Sequence, residues 1–181
     1  MAPASEGVAG VAYADVRPQV RRYPFVQPPR LLSSSPEPMT DKPSILFVCL
    51  KNNGKSQLAA GLFRAITGDA FDVGSAGTRA ADHINGLFAA TLQELGVDVT
   101  GQKPRQLTYR MNREADRVVV LGRTVDVQPI AGTTIEVWDV DEPSRRGIGG
   151  VERMRLIRDD IAVRVEDLAK RLSDMGNSEH H

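Results

Sequence analysis

From Ser44 onward the chain switches between two apolar rhythms. Ile45 to Cys49 is an unbroken apolar run, the mark of a strand covered on both faces within a parallel sheet. Leu58, Leu62, Phe63 and Ile66 then recur at helical spacing until Thr67-Gly68-Asp69 stops them. Phe71 to Ser75 predicts a second strand. Asn85 to Gly96 predicts a helix with Phe88, Leu92 and Leu95 on one face and Gly96 as its stop. Arg117 to Gly122 (RVVVLG) and Thr134 to Trp138 predict the third and fourth strands, with Trp138 packed at a strand end. Met154, Ile157, Ile161, Val165, Leu168 and Leu172 predict a long closing amphipathic helix. Strands alternating with helices imply an α/β fold in three layers, a four-stranded parallel sheet with helices on both faces. That domain is expected over residues 44–174, and residues 175–181 are expected to be a disordered end whose closing Glu-His-His resembles a tag remnant.

Residues 1–43 have a different character. They hold eight of the eleven prolines (Pro3, Pro18, Pro24, Pro28, Pro29, Pro36, Pro38 and Pro43) and the run SSSPEP. Proline removes backbone donors and disfavours helix at the residue before it, so an extended, flexible arm is expected, with at most a weak helix near Val11 to Val20. The arm reads as a disordered leader or, with less support, as a docking arm or dimer strap.

Composition narrows the functional classes. Of 181 residues, 41% are hydrophobic and 25% charged, the balance of an ordinary globular protein. Lysine plus arginine equals aspartate plus glutamate at 23 each, so no global charge recruits nucleic acid or an anionic membrane. No apolar run approaches the roughly 20 residues of a membrane span, and no basic-led apolar leader opens the chain. Cys49 is the only cysteine, which excludes an internal disulfide and fits a reducing compartment. A cytoplasmic location is expected, and a homodimer stays open.

Candidate chemistry gathers where the first strand meets the first helix. Leu50, Lys51, Asn52, Asn53, Gly54, Lys55 and Ser56 follow Cys49 directly. A loop of this kind is an anion cradle, because backbone N–H groups turn inward and the helix dipole adds partial positive charge. Asn52, Asn53 and Gly54 are residue types that tolerate left-handed backbone. Lys55 supplies full charge, and Ser56 can cap the helix or bond the thiol. A cysteine at a helix N-terminus beside cations favours its thiolate, which makes Cys49 a candidate nucleophile. An inert core cysteine is the bland alternative. A nucleotide loop of the form G-x-x-x-x-G-K-[ST] is a second, since only Cys49, at the first glycine, departs from it. His83 reads as a surface histidine, and Arg79, Arg145 and Arg146 as solvated cations able to attract an anion. His83 is the only histidine before the closing pair, and no metal site is expected.

Cys49 through Ser56 resembles the C-x5-R-S anion loop of the low-molecular-weight protein tyrosine phosphatases and of the arsenate reductases that share their fold. The likeness extends to SQLAAGLF, to VGSAGTRAADHINGLFAATLQELGVDVTGQKPRQLT, to ADRVVVLG and to VWDVDEP, which is similar to the family's acid loop. It implies the fold described above and three distinctions within the family. Lys55 stands in place of the loop arginine, which keeps the charge but loses the two-pronged grip on an oxyanion, and resembles the Gly-Lys-Ser loops of actinobacterial arsenate reductases. Glu142 precedes Pro143 where the phosphatases place an aspartate, with Asp141 one step earlier and Ser144 and Arg145 where paired tyrosines are usual. Gly122 and the Val127–Gln128 region stand where thioredoxin-coupled reductases carry two further cysteines.

The resemblance therefore implies an arsenate reductase working through a Cys49–arsenate adduct. Lys55 and the loop amides would hold the anion, and Glu142 or Asp141 would protonate the departing oxygen. With one thiol per chain and no bound cofactor, the second reductant is external: a mycothiol-like thiol with a small redoxin, or a thioredoxin-type partner attacking directly. A phosphatase acting through a phosphocysteine and a non-catalytic oxyanion-binding protein are the alternatives.

Overall fold

The structure, a computed structural model, describes residues 41–178, so most of the expected arm, the region near Val11 to Val20 included, lies outside the described residues. Strand β1 (Ser44–Cys49) leads into helix α1 (Lys55–Thr67), a short 3-10 turn and strand β2 (Asp72–Gly77). Helices α2 (Gly86–Gln93) and α3 (Tyr109–Glu114) precede strands β3 (Arg117–Leu121) and β4 (Thr134–Trp138). A second 3-10 turn, Pro143–Arg146, then introduces helix α4 (Gly150–Ser178).

The four strands form one parallel sheet in the order β2-β1-β3-β4. Alternation along β1 divides the core. Ile45, Phe47 and Cys49 join the larger cluster with Leu58, Leu62 and Phe63 of α1, Phe88 and Leu92 of α2, and Ile157, Ile161, Val165 and Leu168 of α4. The Phe47 ring lies 5.7 Å from that of Phe63 and 6.0 Å from that of Trp138, which is buried at the end of β4 as expected. Leu46 and Val48 point the other way, to a smaller cluster closed by Leu107, Met111 of α3, Val125 and Val127. Helices thus cover both faces, three on one and the short α3 on the other.

The differences from sequence expectation have local causes. Strand β2 runs two residues further than Ser75, because Ala76 and Gly77 still pair with Val48 and Cys49. Helix α2 is shorter at both ends: Asn85 is its cap, accepting at Oδ1 from the Leu87 and Phe88 amides at 3.0 and 3.3 Å, and Gly96, at φ 77°, lies beyond it. Helix α3 escaped the pattern because it is six residues long and buries only Asn112. Its start is set by Thr108, whose Oγ1 accepts from the Met111 amide at 3.2 Å. Helix α4 runs on to Ser178, so residues 175–178, expected in a disordered end beyond residue 174, are helical.

This topology positions the site. The chain leaves β1 for β2 on one side and later returns to β3 on the other, so the loops at the carboxyl ends of β1 and β3 diverge and open a crevice there. Cys49 is the last residue of β1. Ile161, fully buried between α4 and the sheet, tests the packing: Ile161→Ala should cost about 2–5 kcal/mol, read as a lower urea midpoint at unchanged slope.

Candidate active site

The loop after Cys49 is held from outside. The carbonyls of Cys49, Leu50, Lys51 and Asn53 accept from the amides of Thr78, Arg79, Ala81 and Asn85 at 3.1, 2.7, 3.0 and 2.8 Å, and that of Gly54 accepts from Leu58 at 2.9 Å. With these carbonyls turned away, the loop N–H groups face the other side. Among the described residues, the amides of Leu50, Lys51, Asn53, Gly54, Lys55 and Ser56 donate to no protein acceptor. They sit at the N-terminus of α1, where the helix dipole adds to their charge.

Two glycines permit this packing. A Cβ on Gly77 would stand 2.8 Å from the Asn52 nitrogen and the Lys51 carbonyl carbon, so only glycine lets the end of β2 lie against the loop. A Cβ on Gly54 would meet the Phe88 ring at 2.3 Å. Of the three loop residues expected to tolerate left-handed backbone, only Asn52 adopts it, at φ 51°, while Gly54 is extended at φ −164°. Glycine is required at position 54 for space rather than for handedness.

Asn52 is buried and is the hub beneath the sulfur. Its Oδ1 accepts from the Arg105 backbone amide at 2.8 Å and from Gln57 Nε2 at 3.0 Å, which fixes the orientation of the carboxamide. Its Nδ2 then donates to Ser56 Oγ at 2.7 Å, leaving the Ser56 hydroxyl proton for Cys49 Sγ at 2.9 Å. The Asn52 backbone amide donates to the same sulfur at 3.1 Å. Cys49 belongs to the larger core cluster, yet its sulfur meets two hydrogen-bond donors, the solvation a thiolate needs. Gln57 also donates to the Lys103 carbonyl at 3.3 Å, tying the helix start to the segment before Arg105. Gln57 and Arg105 had no part in the sequence reading, because one looked like an ordinary helix residue and the other contributes only its backbone.

The loop that carries Glu142 approaches the start of α1. Lys55 Nζ lies 3.4 Å from Glu142 Oε2. Arg153, in the first turn of α4, donates from Nε and Nη2 to the two oxygens of Glu142 at 2.8 and 3.0 Å, and Ser144 Oγ donates to Oε1 at 2.8 Å. Chiefly through Arg153, these donors hold the Glu142 carboxyl down at about 2, against an ordinary value of 4.5. Asp141 turns to Arg146, with two contacts of 2.7 and 2.8 Å, and its carboxyl is also lowered, chiefly by that arginine. The structure therefore brings Glu142 to Lys55 and leaves Asp141 with Arg146. Both are carboxylates at neutral pH. His83, Arg79 and Arg145 are exposed. Among the described residues, no group of three or more His, Cys, Asp or Glu side chains could hold a metal ion, and no helix is long and apolar enough to cross a membrane.

Comparison with known proteins adds independent findings. The family model of low molecular weight phosphotyrosine protein phosphatase matches residues 44–177. An arsenate reductase of Halalkalibacterium halodurans is 31% identical over 136 residues, covering 72% of this chain and 97% of that protein. The solved thioredoxin-dependent arsenate reductase of Corynebacterium glutamicum superposes with a TM-score of 0.63 at 28% identity, over 73% of this chain and 62% of that one, so this chain spans less than two thirds of its length. An arginine phosphatase of Geobacillus stearothermophilus, at 23% identity and a TM-score of 0.61 over 76% of this chain and 97% of that one, shares the fold.

The Glu142 contacts predict a pH signature. A carboxyl held at about 2 stabilises the fold fully above its ordinary value of 4.5 and loses that contribution as pH falls through about 2. Glu142→Gln should therefore be less stable than the parent by about 1 kcal/mol near neutrality, after solvent screening. The gap should narrow below pH 4.5 and close near 2, measured as urea midpoints across pH.

Proposed function

Because the chain belongs to the low molecular weight phosphotyrosine protein phosphatase family, whose members include arsenate reductases similar to it over most of their length, we propose that it reduces arsenate to arsenite through Cys49. The observation that carries this reading is the pairing of an amide-lined cradle around one sulfur with an acid loop whose two carboxyls are both tied to arginines. An ester's leaving oxygen needs a proton from the enzyme. Arsenate brings its own.

The first step follows from that chemistry. The Cys49 thiolate, solvated by Ser56 Oγ and the Asn52 amide, attacks arsenic in dihydrogen arsenate lying against the free loop amides and Lys55. The S–As bond forms and one As–OH bond breaks. The departing hydroxide leaves as water by taking the proton of the substrate's second hydroxyl. Charge gathers on the remaining oxygens, where fixed amide dipoles and the α1 terminus stabilise it. Lys55 gives one cation to this anion, without the planar two-pronged contact an arginine would make.

The second step needs another thiol, since Cys49 is the only cysteine in the chain. An external thiolate attacks the Cys49 sulfur, the S–As bond electrons stay with arsenic, and arsenite departs after protonation, leaving a mixed disulfide that a further thiol reduces. Similarity to the thioredoxin-dependent enzyme of Corynebacterium glutamicum supports a redoxin as partner. A mycothiol-like thiol working with a small redoxin is the finer alternative, and either donor fits a reducing cytoplasm. Phosphoester hydrolysis through a phosphocysteine shares the first geometry but lacks the acid. A purely oxyanion-binding role leaves the two hydrogen bonds to Cys49 Sγ without a use.

One preparation tests this. With arsenate and either a thioredoxin system or mycothiol plus a redoxin, arsenite should form catalytically and fall to background in Cys49→Ser, while aryl phosphate is turned over at least about 100-fold more slowly. Rapid ester hydrolysis without arsenite would select the phosphatase. Oxyanion binding with neither activity would select the binding protein.

A further inference from the structure

Arg153 carries no motif and was not singled out by the sequence, yet it makes a two-pronged contact with Glu142. Its guanidinium grips both Glu142 oxygens, Nε to Oε1 at 2.8 Å and Nη2 to Oε2 at 3.0 Å. Other donors approach the same oxygens. Ser144 Oγ donates to Oε1 at 2.8 Å, its amide reaches the same oxygen at 3.4 Å, and Lys55 Nζ lies 3.4 Å from Oε2. A proton placed on either oxygen would have to displace one of these partners, and the two-pronged arginine contact is the costliest to break. Asp141 offers no substitute, because Arg146 grips it in the same fashion.

We propose that Arg153 is a positioning residue that decides reaction specificity: its hold on Glu142 withholds a proton from any ester leaving group and confines the Cys49 cradle to oxyanions that supply their own. The proposal rests on the arsenate reading above. It accounts for a site with the nucleophile, the anion loop and a carboxyl before Pro143 that is nonetheless set up for a different substrate class from a phosphoester.

The chemistry that Arg153 withholds is explicit. In an aryl phosphate the Cys49 thiolate would form an S–P bond as the P–O(aryl) bond breaks. The aryl oxide would take a proton from Glu142, and water would later cleave the phosphocysteine. Glu142 held by Arg153 has no proton to give. Freed of Arg153, its largest lowering influence, it should protonate at a higher pH than in the parent and become more available as pH falls.

The test is aryl phosphate hydrolysis by the full chain across pH, with folding checked by circular dichroism and thermal melts. Arg153→Met should gain about 10-fold or more near pH 5, with a rate that climbs as pH falls. Arg153→Lys, which restores a cation but not the two-pronged contact, should show a gain smaller than that of Arg153→Met. Arg153→Met combined with Glu142→Gln should abolish the gain, a result that a merely structural role for Arg153 would not produce. A folded Arg153→Met with no gain, a gain without pH dependence, or a gain that survives Glu142→Gln overturns the proposal. Should Arg153→Met fail to fold, Ser144→Ala removes one donor from the same carboxylate and should show a smaller gain with the same pH slope; a flat profile there overturns it equally. Failure of the arsenate reading is seen separately, as a parent protein that forms no arsenite.

Discussion

Everything at this site depends on which way a few carbonyl groups point. A five-residue loop between a strand and a helix has many conformations, and most leave its amides mixed with its carbonyls. Here the amides of Thr78, Arg79, Ala81 and Asn85 capture the carbonyls of Cys49, Leu50, Lys51 and Asn53. The segment after β2 thus serves as the outer wall of the cradle. It can approach closely because Gly77 has no side chain to strike the Asn52 and Lys51 backbone. Asn52, in left-handed backbone, closes the ring from within and carries the hydrogen bonds that orient Ser56 toward the sulfur. Sulfur, ring and helix terminus are one cooperative unit, in which loss of any partner exposes an unsatisfied buried polar group.

Charge completes the account. Net charge is zero, yet the cradle meets the acid loop through a loose Lys55–Glu142 pair and a tight Arg153–Glu142 pair. The tight pair binds Glu142 as a counter-ion, and the loose pair, at 3.4 Å, leaves Lys55 only weakly engaged. A lysine is suited to such loose pairing, being a single mobile charge and not a planar fork that would lock onto a carboxylate. The fold is shared with an arginine phosphatase, and a shared fold does not fix the chemistry of the site it carries.

Much of this was legible in the sequence. Apolar runs such as Ile45–Cys49 and Arg117–Leu121, and the helical spacing of Met154 through Leu172, are long enough for periodicity to speak clearly, and they gave the parallel sheet and its main helices. The turn from strand to helix across Cys49 through Ser56 could be read because it is local and contiguous. What could not be read is whatever depends on partners distant along the chain. The Asn52 carboxamide is fixed by the backbone of Arg105, and the state of Glu142 by a side chain eleven residues away on another element. The arginine contacts of Glu142 and Asp141 could not be read either, because residue type alone does not reveal who holds a carboxylate. Helix α3 went unseen because six residues with one buried position carry no period.

The outward-held carbonyls leave the loop amides without protein acceptors among the described residues, and a tetrahedral anion is the partner proposed for them. The most direct measurement is amide NMR of the Cys49→Ser protein during titration with arsenate, and with phosphate as the unreactive analogue. Saturable shifts are expected on the backbone amides of Leu50, Lys51, Asn53, Gly54, Lys55 and Ser56, with those of Thr78, Arg79 and Ala81 moving little, since they already donate to the loop. Shifts spread over surface lysines, or none in the loop at saturating anion, would contradict it.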